Sequence, residues 1–128
     1  MTRRHLALKE RFEQMPWPQQ LGNLASTLSR MASRATSPAY DTLVIHLLRE
    51  AALFIEWSAP HAPPELLPEL AAMQREVLAW RRLWPLDPAR SLLALRGQQM
   101  ADALLRYAGL VSSPPRASGR PGAGTSSK

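Results

Sequence analysis

In a chain that has no cysteine, histidines and carboxylates are the first residues to examine for chemistry. His46 and Glu50 stand four apart, which places both on one face of a helix, within reach of one another. Two such side chains could begin a metal site, but a catalytic zinc normally takes three protein ligands. His5 and His61 are far off in sequence, and no third ligand is indicated. A surface ion pair is the simpler role for His46 and Glu50. The di-iron bundle pattern needs Glu-x-x-His on two helices, and the chain has none. No glycine-rich loop precedes a helix in the way a phosphate loop requires. Serines are abundant, yet no Ser-His-acid order stands out among them. These residues predict a non-enzymatic protein with no cofactor and no metal.

Charge raises a second kind of chemistry. The net charge is +6 over 128 residues, enough to consider nucleic acid, whose phosphates are met by Lys and Arg. Half of that charge comes from Arg116, Arg120 and Lys128 in the last seventeen residues, which hold no acid. Fourteen of the sixteen basic residues are Arg, which reads as a compositional habit of the source genome. The best nucleic-acid candidate is Trp80-Arg81-Arg82-Leu83-Trp84, with Arg90, Arg96 and Arg106 beyond it, since Trp and Arg can stack on bases and neutralise phosphate. Arg3 and Arg4 at the start, together with Arg81, Arg82, Arg116 and Arg120, form the alternative contact set. Against it, Trp80 and Trp84 fall on an apolar seam and read as core. Arg81 and Arg82 also suit the C-terminal end of a helix dipole. The proline-laden LWPLDP connection fits a helix-turn-helix poorly.

The elements that would position these residues are helical. Residues 37–58 read as a central helix, with Ser37 as N-cap and Pro38 in the first position. Asp41 lies near the positive end of its dipole, and Pro60 bars continuation. Leu43, Val44, Leu47, Leu48, Ala51, Ala52, Phe54 and Ile55 fill half a turn or more, where one interface needs a stripe of about 100°. The opposite strip carries His46, Arg49, Glu50 and Glu56, with Leu53 and Trp57 set among them. Those two apolar residues are either covered by the first helix, through Leu8, Phe12 and Met15, or left for a partner. The second reading is the one adopted. Four charged or His residues interrupt the apolar run, so it is not a membrane span.

Around this centre, residues 2–14 predict a first helix with Thr2 as cap, and Met15–Pro18 a break with Trp17 sealing the core end. Residues 19–35 predict a second helix, whose small flank (Gly22, Ala25, Ser26, Ser29, Ala32, Ser33) should pack closely on the central helix. A fourth helix starts at Pro64 or Pro68 and runs to about Trp84, on a seam of Leu66, Leu70, Met73, Val77, Trp80 and Trp84. The fifth is capped by Asp87, with Pro88 in first position, and stops at Gly109. Its seam includes Gly97, while Leu92 and Leu95 fall away as a second possible contact surface. The composition from Ser112 onward cannot bury enough apolar surface to offset ordering entropy, so residues 112–128 read as a disordered tail.

The runs LGNLASTLSRMAS (21–33) and LLREAALFIEWSAP (47–60) resemble a group of small all-helical cyanobacterial proteins of unknown function. The resemblance covers about the first half of the chain and part of the fourth helix. It implies a bacterial cytoplasmic protein and carries no catalytic or binding motif.

The sequence thus predicts an all-α, single-domain bundle of four to five helices over residues 1–111. The start, MTRRHLALKERF, is too charged for a signal peptide, and with the lack of cysteine this predicts a cytoplasmic protein. The expected role is a helical module that binds another protein or itself, with nucleic acid as the alternative and no membrane. Its expected surface is His46, Arg49, Glu50, Leu53 and Trp57, since aromatic and Arg residues anchor such contacts.

Overall fold

Asp41 to Ser58 forms one unbroken helix, and the other helices are laid against or beside it. A computed structural model describes residues 3–109 and contains five α-helices among them: α1 (Arg3–Glu13), α2 (Trp17–Arg34), α3 (Asp41–Ser58), α4 (Leu67–Leu83) and α5 (Arg90–Ala108). Thr2, Arg116, Arg120 and the whole segment expected to be a disordered tail lie outside the described residues. Side-chain pairs fix the topology. Thr27 of α2 meets Glu50 of α3, Ala52 of α3 meets Gln74 of α4, and Asp41 at the start of α3 meets Trp84 at the end of α4. Helices α2 to α5 therefore run up, down, up, down. The core between them is made by Leu21, Leu24, Leu28 and Met31 of α2 with Val44, Leu48, Ala51 and Ile55 of α3. Leu70, Val77, Leu93, Met100 and Leu104 complete it.

The punctuation of the chain acts as expected, but the caps work by other means. Pro38, Pro64 and Pro88 each sit in the first turn of a short 3-10 segment that leads into a helix, where a missing N–H costs nothing. Ser37 has extended backbone at the cap position, yet its hydroxyl makes no capping bond. Asp87 does not cap α5 either; its carboxylate accepts from the Arg90 side chain at 2.8 Å. Trp17 opens α2, so the break expected over Met15–Pro18 ends at Pro16 and the second helix starts two residues earlier than expected. Gly109, with φ 73°, closes α5 in the left-handed conformation, which glycine adopts without steric cost.

The small-residue flank of α2 meets α5, not α3. A Cβ added at Gly97 would stand 3.1 Å from the Ala32 Cβ and 3.3 Å from the Leu28 carbonyl oxygen, and Ser29 donates to Gln98 of α5 at 3.4 Å. Small side chains on both helices let their backbones approach closely, which leaves the broad apolar arc of α3 free for larger partners from α2 and α4.

One arginine ties four helix ends together. Arg90, on the first turn of α5, donates from Nη1 and Nη2 to the two carboxylate oxygens of Asp41 at 2.7 and 3.0 Å. The same Nη1 donates to the Ala35 carbonyl at the end of α2, at 3.2 Å. Trp84, which closes α4, donates its indole N–H to Asp41, and the guanidinium lies 5.2 Å from its ring centroid. The Arg90 and Asp41 side chains are only 12% and 23% exposed, so water screens this pair less than an open surface bridge. A second fork joins α4 to α5, where Arg96 donates to both oxygens of Glu76 at 2.8 and 2.7 Å and Trp80 adds its N–H. Hydrogen bonds from Arg90, opposed in part by burial and helped by the arginine's charge and by Trp84, hold the Asp41 carboxyl below its usual range. Arg96 does the same for Glu76.

Two outcomes follow for stability. A carboxylate whose folded-state pKa is depressed contributes fully above its unfolded pKa, near 4. That contribution is lost as pH falls through the lower folded value. Asp41→Asn should therefore lower the denaturation midpoint at neutral pH and flatten the acid limb of stability against pH, as followed by urea unfolding at several pH values. Gly97→Leu should destabilise by about 1–3 kcal/mol through overpacking against α2, measured by the same unfolding.

Candidate functional site

The surface expected on α3 is exposed only in part, because α1 lies along it. Helix α1 runs parallel to α3. Its Phe12, 1% exposed, stacks on Phe54 with ring centroids 4.5 Å apart and tilts against Trp57 at 5.9 Å. Phe54 and Trp57 in turn touch at 5.8 Å. Such aromatic contacts contribute about 0.5–1.5 kcal/mol each beyond their area, so this trio is what seats α1. Trp57 is 3% exposed. Its assignment to a partner surface is corrected: it belongs to the core, and the face left open in the sequence reading is closed here by the first helix.

A side chain that the sequence reading passed over fixes the corner after α1. Gln20 is fully buried and donates its amide N–H bonds to the carbonyls of Phe12 and Met15, each at 3.1 Å. The Phe12 carbonyl is among the last of α1, which have no partner within the helix, and Met15 lies two residues beyond the helix end. The signal for Gln20 was weak: a lone amide beside the apolar stripe of α2 looks like any solvated glutamine.

Toward its N-terminus α1 lifts off α3, and a cleft of about 260 Å³ opens between them. From α1 it is lined by Arg4, His5 and Leu8, and from α3 by His46, Arg49, Glu50 and Leu53. Four of the five predicted surface residues thus gather at one place. Leu8 and Leu53 are half-buried and pack on the core, so they supply an apolar floor. Arg4, Arg49 and His46 are exposed at the rim. Glu50 is partly shielded, and one of its oxygens accepts from the Thr27 hydroxyl of α2 at 3.3 Å, so the ion pair expected with His46 is replaced by a bond to the neighbouring helix. Neither Arg4 nor Arg49 has an ion-pair or hydrogen-bond partner for its side chain among the described residues.

The alternative contact set is not gathered in the same way. Arg81 and Arg82 are exposed on the last turn of α4, a helix that flanks α3 away from α1, while Arg3 and Arg4 start α1. Arg90 and Arg96 are engaged with carboxylates. Trp84 is buried and Trp80 half-buried against the core, as the seam predicted, so neither offers a free ring for base stacking. Leu92 and Leu95 are 50% and 55% exposed, turned away from the bundle as their spacing indicated. Among the described residues no group of three or more His, Cys, Asp or Glu could hold a metal ion, and no helix is long and apolar enough to cross a membrane. Compared with protein-family models, curated proteins and solved structures, the chain matches none of them.

Burial makes a direct prediction for Trp57. Trp57→Ala should cost about 3–5 kcal/mol, as for other large core residues, and should broaden or abolish cooperative thermal unfolding followed by circular dichroism. Unchanged stability would place Trp57 back on the surface.

Proposed function

We propose that this chain is a non-enzymatic helical module that binds another protein, or itself, through the face shared by α1 and α3. The observation that carries the reading is the cleft lined by half-buried Leu8 and Leu53 together with Arg4 and Arg49, neither of which has a side-chain partner among the described residues. Protein interfaces place apolar anchors in desolvated pockets with polar rims, and Arg is among the residues enriched at their centres. A cleft of this size suits one or two side chains of a partner; small-molecule sites run from roughly 300 to 1,000 Å³. The rest of the apolar surface of α3 is consumed in the core, so binding at this face does not require the bundle to open. A bacterial cytoplasmic setting belongs to the same proposal, supported by the cysteine-free, Arg-rich composition.

Nucleic acid is the competing reading, carried by the exposed Arg3, Arg4, Arg81 and Arg82. The two readings separate in one experiment. Purified protein is weighed by light scattering and used as bait in native lysate, beside Leu53→Asp, which places a charge on the cleft floor while leaving the Phe12 seat intact. The module reading predicts a protein partner, or a doubled mass, that is lost in Leu53→Asp at unchanged helicity. Recovery of nucleic acid instead, released steeply by added salt, would replace that reading with the other.

A further inference from the structure

The cleft also has a chemical preference, and its argument rests on the interaction reading above. Two guanidinium groups that have no partner among the described residues stand at its rim, at Arg4 and Arg49, beside a floor of two leucines. The single acid in the cleft, Glu50, already accepts a hydrogen bond from Thr27. An arginine that closes an intramolecular ion pair, as Arg90 and Arg96 do, is of no use to a partner. Arg4 and Arg49 enter no such pair among the described residues. The whole chain carries +6, so a second copy would approach against like charge, whereas an acidic partner would be drawn in.

From this geometry we infer that the α1–α3 cleft receives an acidic amphipathic segment of a partner protein, an aliphatic side chain seated on Leu8 and Leu53 with flanking carboxylates taken by Arg4 and Arg49. The forked donors of a guanidinium match a carboxylate in two parallel bonds. Phosphate would satisfy the arginines equally well but would leave the leucine floor uncovered, and that is why a polypeptide is favoured over nucleic acid. Rim charges act mainly on the encounter rate and on partner choice, so the leucine floor sets retention while the arginines set selectivity.

The test uses the full chain and three defined probes: a capped amphipathic Leu/Glu peptide, its Leu/Gln counterpart and a single-stranded oligonucleotide. Binding is followed by chemical-shift perturbation at fixed ionic strength. The Leu/Glu peptide should perturb Leu8, Leu53 and the Arg4 and Arg49 side chains, and bind about tenfold more tightly than the Leu/Gln peptide, a difference of about 1.4 kcal/mol. The double variant Arg4→Glu/Arg49→Glu, folded by circular dichroism, should lose the Leu/Glu peptide and gain a Leu/Lys peptide. Equal binding of the Leu/Glu and Leu/Gln peptides would overturn the inference. So would perturbations centred elsewhere, failure of the Lys peptide to rescue, a concentration-dependent doubling of mass without peptide, or stronger binding of the oligonucleotide at the same residues. If the peptides fail while a lysate partner is still lost in Leu53→Asp, the interaction module stands and only its acidic preference falls.

Discussion

The fork from Arg90 to Asp41 is the contact on which the geometry of this bundle most depends. Hydrophobic burial makes the helices associate, but it is not directional and leaves their relative heights loosely set. Arg90 stands where α5 begins and reaches the end of α2, the start of α3 and, through Asp41, the residue closing α4. One planar group with five donors can do this; an ammonium cannot, since it lacks the fixed fork. With that end of the bundle pinned, the register of Thr27 on Glu50 and of Gln74 on the Ala52 carbonyl follows. The Glu76–Arg96 fork then holds α4 to α5 where their backbones do not interlock as those of α2 and α5 do.

The candidate site is built at the other extreme of this logic, by a helix that lies outside the pinned frame. Helix α1 is attached through Phe12 at its C-terminal end and through Gln20 at the corner beyond it. Its N-terminal half lines the cleft with Arg4, His5 and Leu8 and adds no further aromatic ring to that cluster among the described residues. The cleft follows from that asymmetry: one end of α1 is locked into an aromatic cluster and the other stands off α3. Most residues of α1 face solvent, and Phe12 is its sole fully buried side chain.

Much of the architecture was legible because proline and glycine mark the helix ends and the apolar spacing marks the faces. The boundaries of α3, α4 and α5 fell within a few residues of expectation on that basis. Trp57 was misplaced because helical phase alone puts it beside polar His46 and Glu50, and phase does not tell whether another helix lies over a strip. The covering helix was visible in Leu8, Phe12 and Met15, but the choice between a covered and an open strip depends on where the Met15–Pro18 corner sends the chain. Asp41 was read as a charge on the helix dipole, Asp87 as a cap, and Arg90 as a possible phosphate contact. A sequence shows charges near helix ends but not which distant opposite charge they will meet. The small flank of α2 was recognised as a close-packing surface, while its partner, α5, depended on the same long-range order.

The account of the site rests on α1 lying along α3 in the free protein. Nuclear Overhauser spectroscopy on the unliganded chain measures this most directly. The account predicts cross-peaks from the Phe12 ring to the rings of both Phe54 and Trp57. Strong contacts within α2–α5 but none from Phe12 to those rings would contradict it, because α1 would then be detached and no cleft would exist between it and α3.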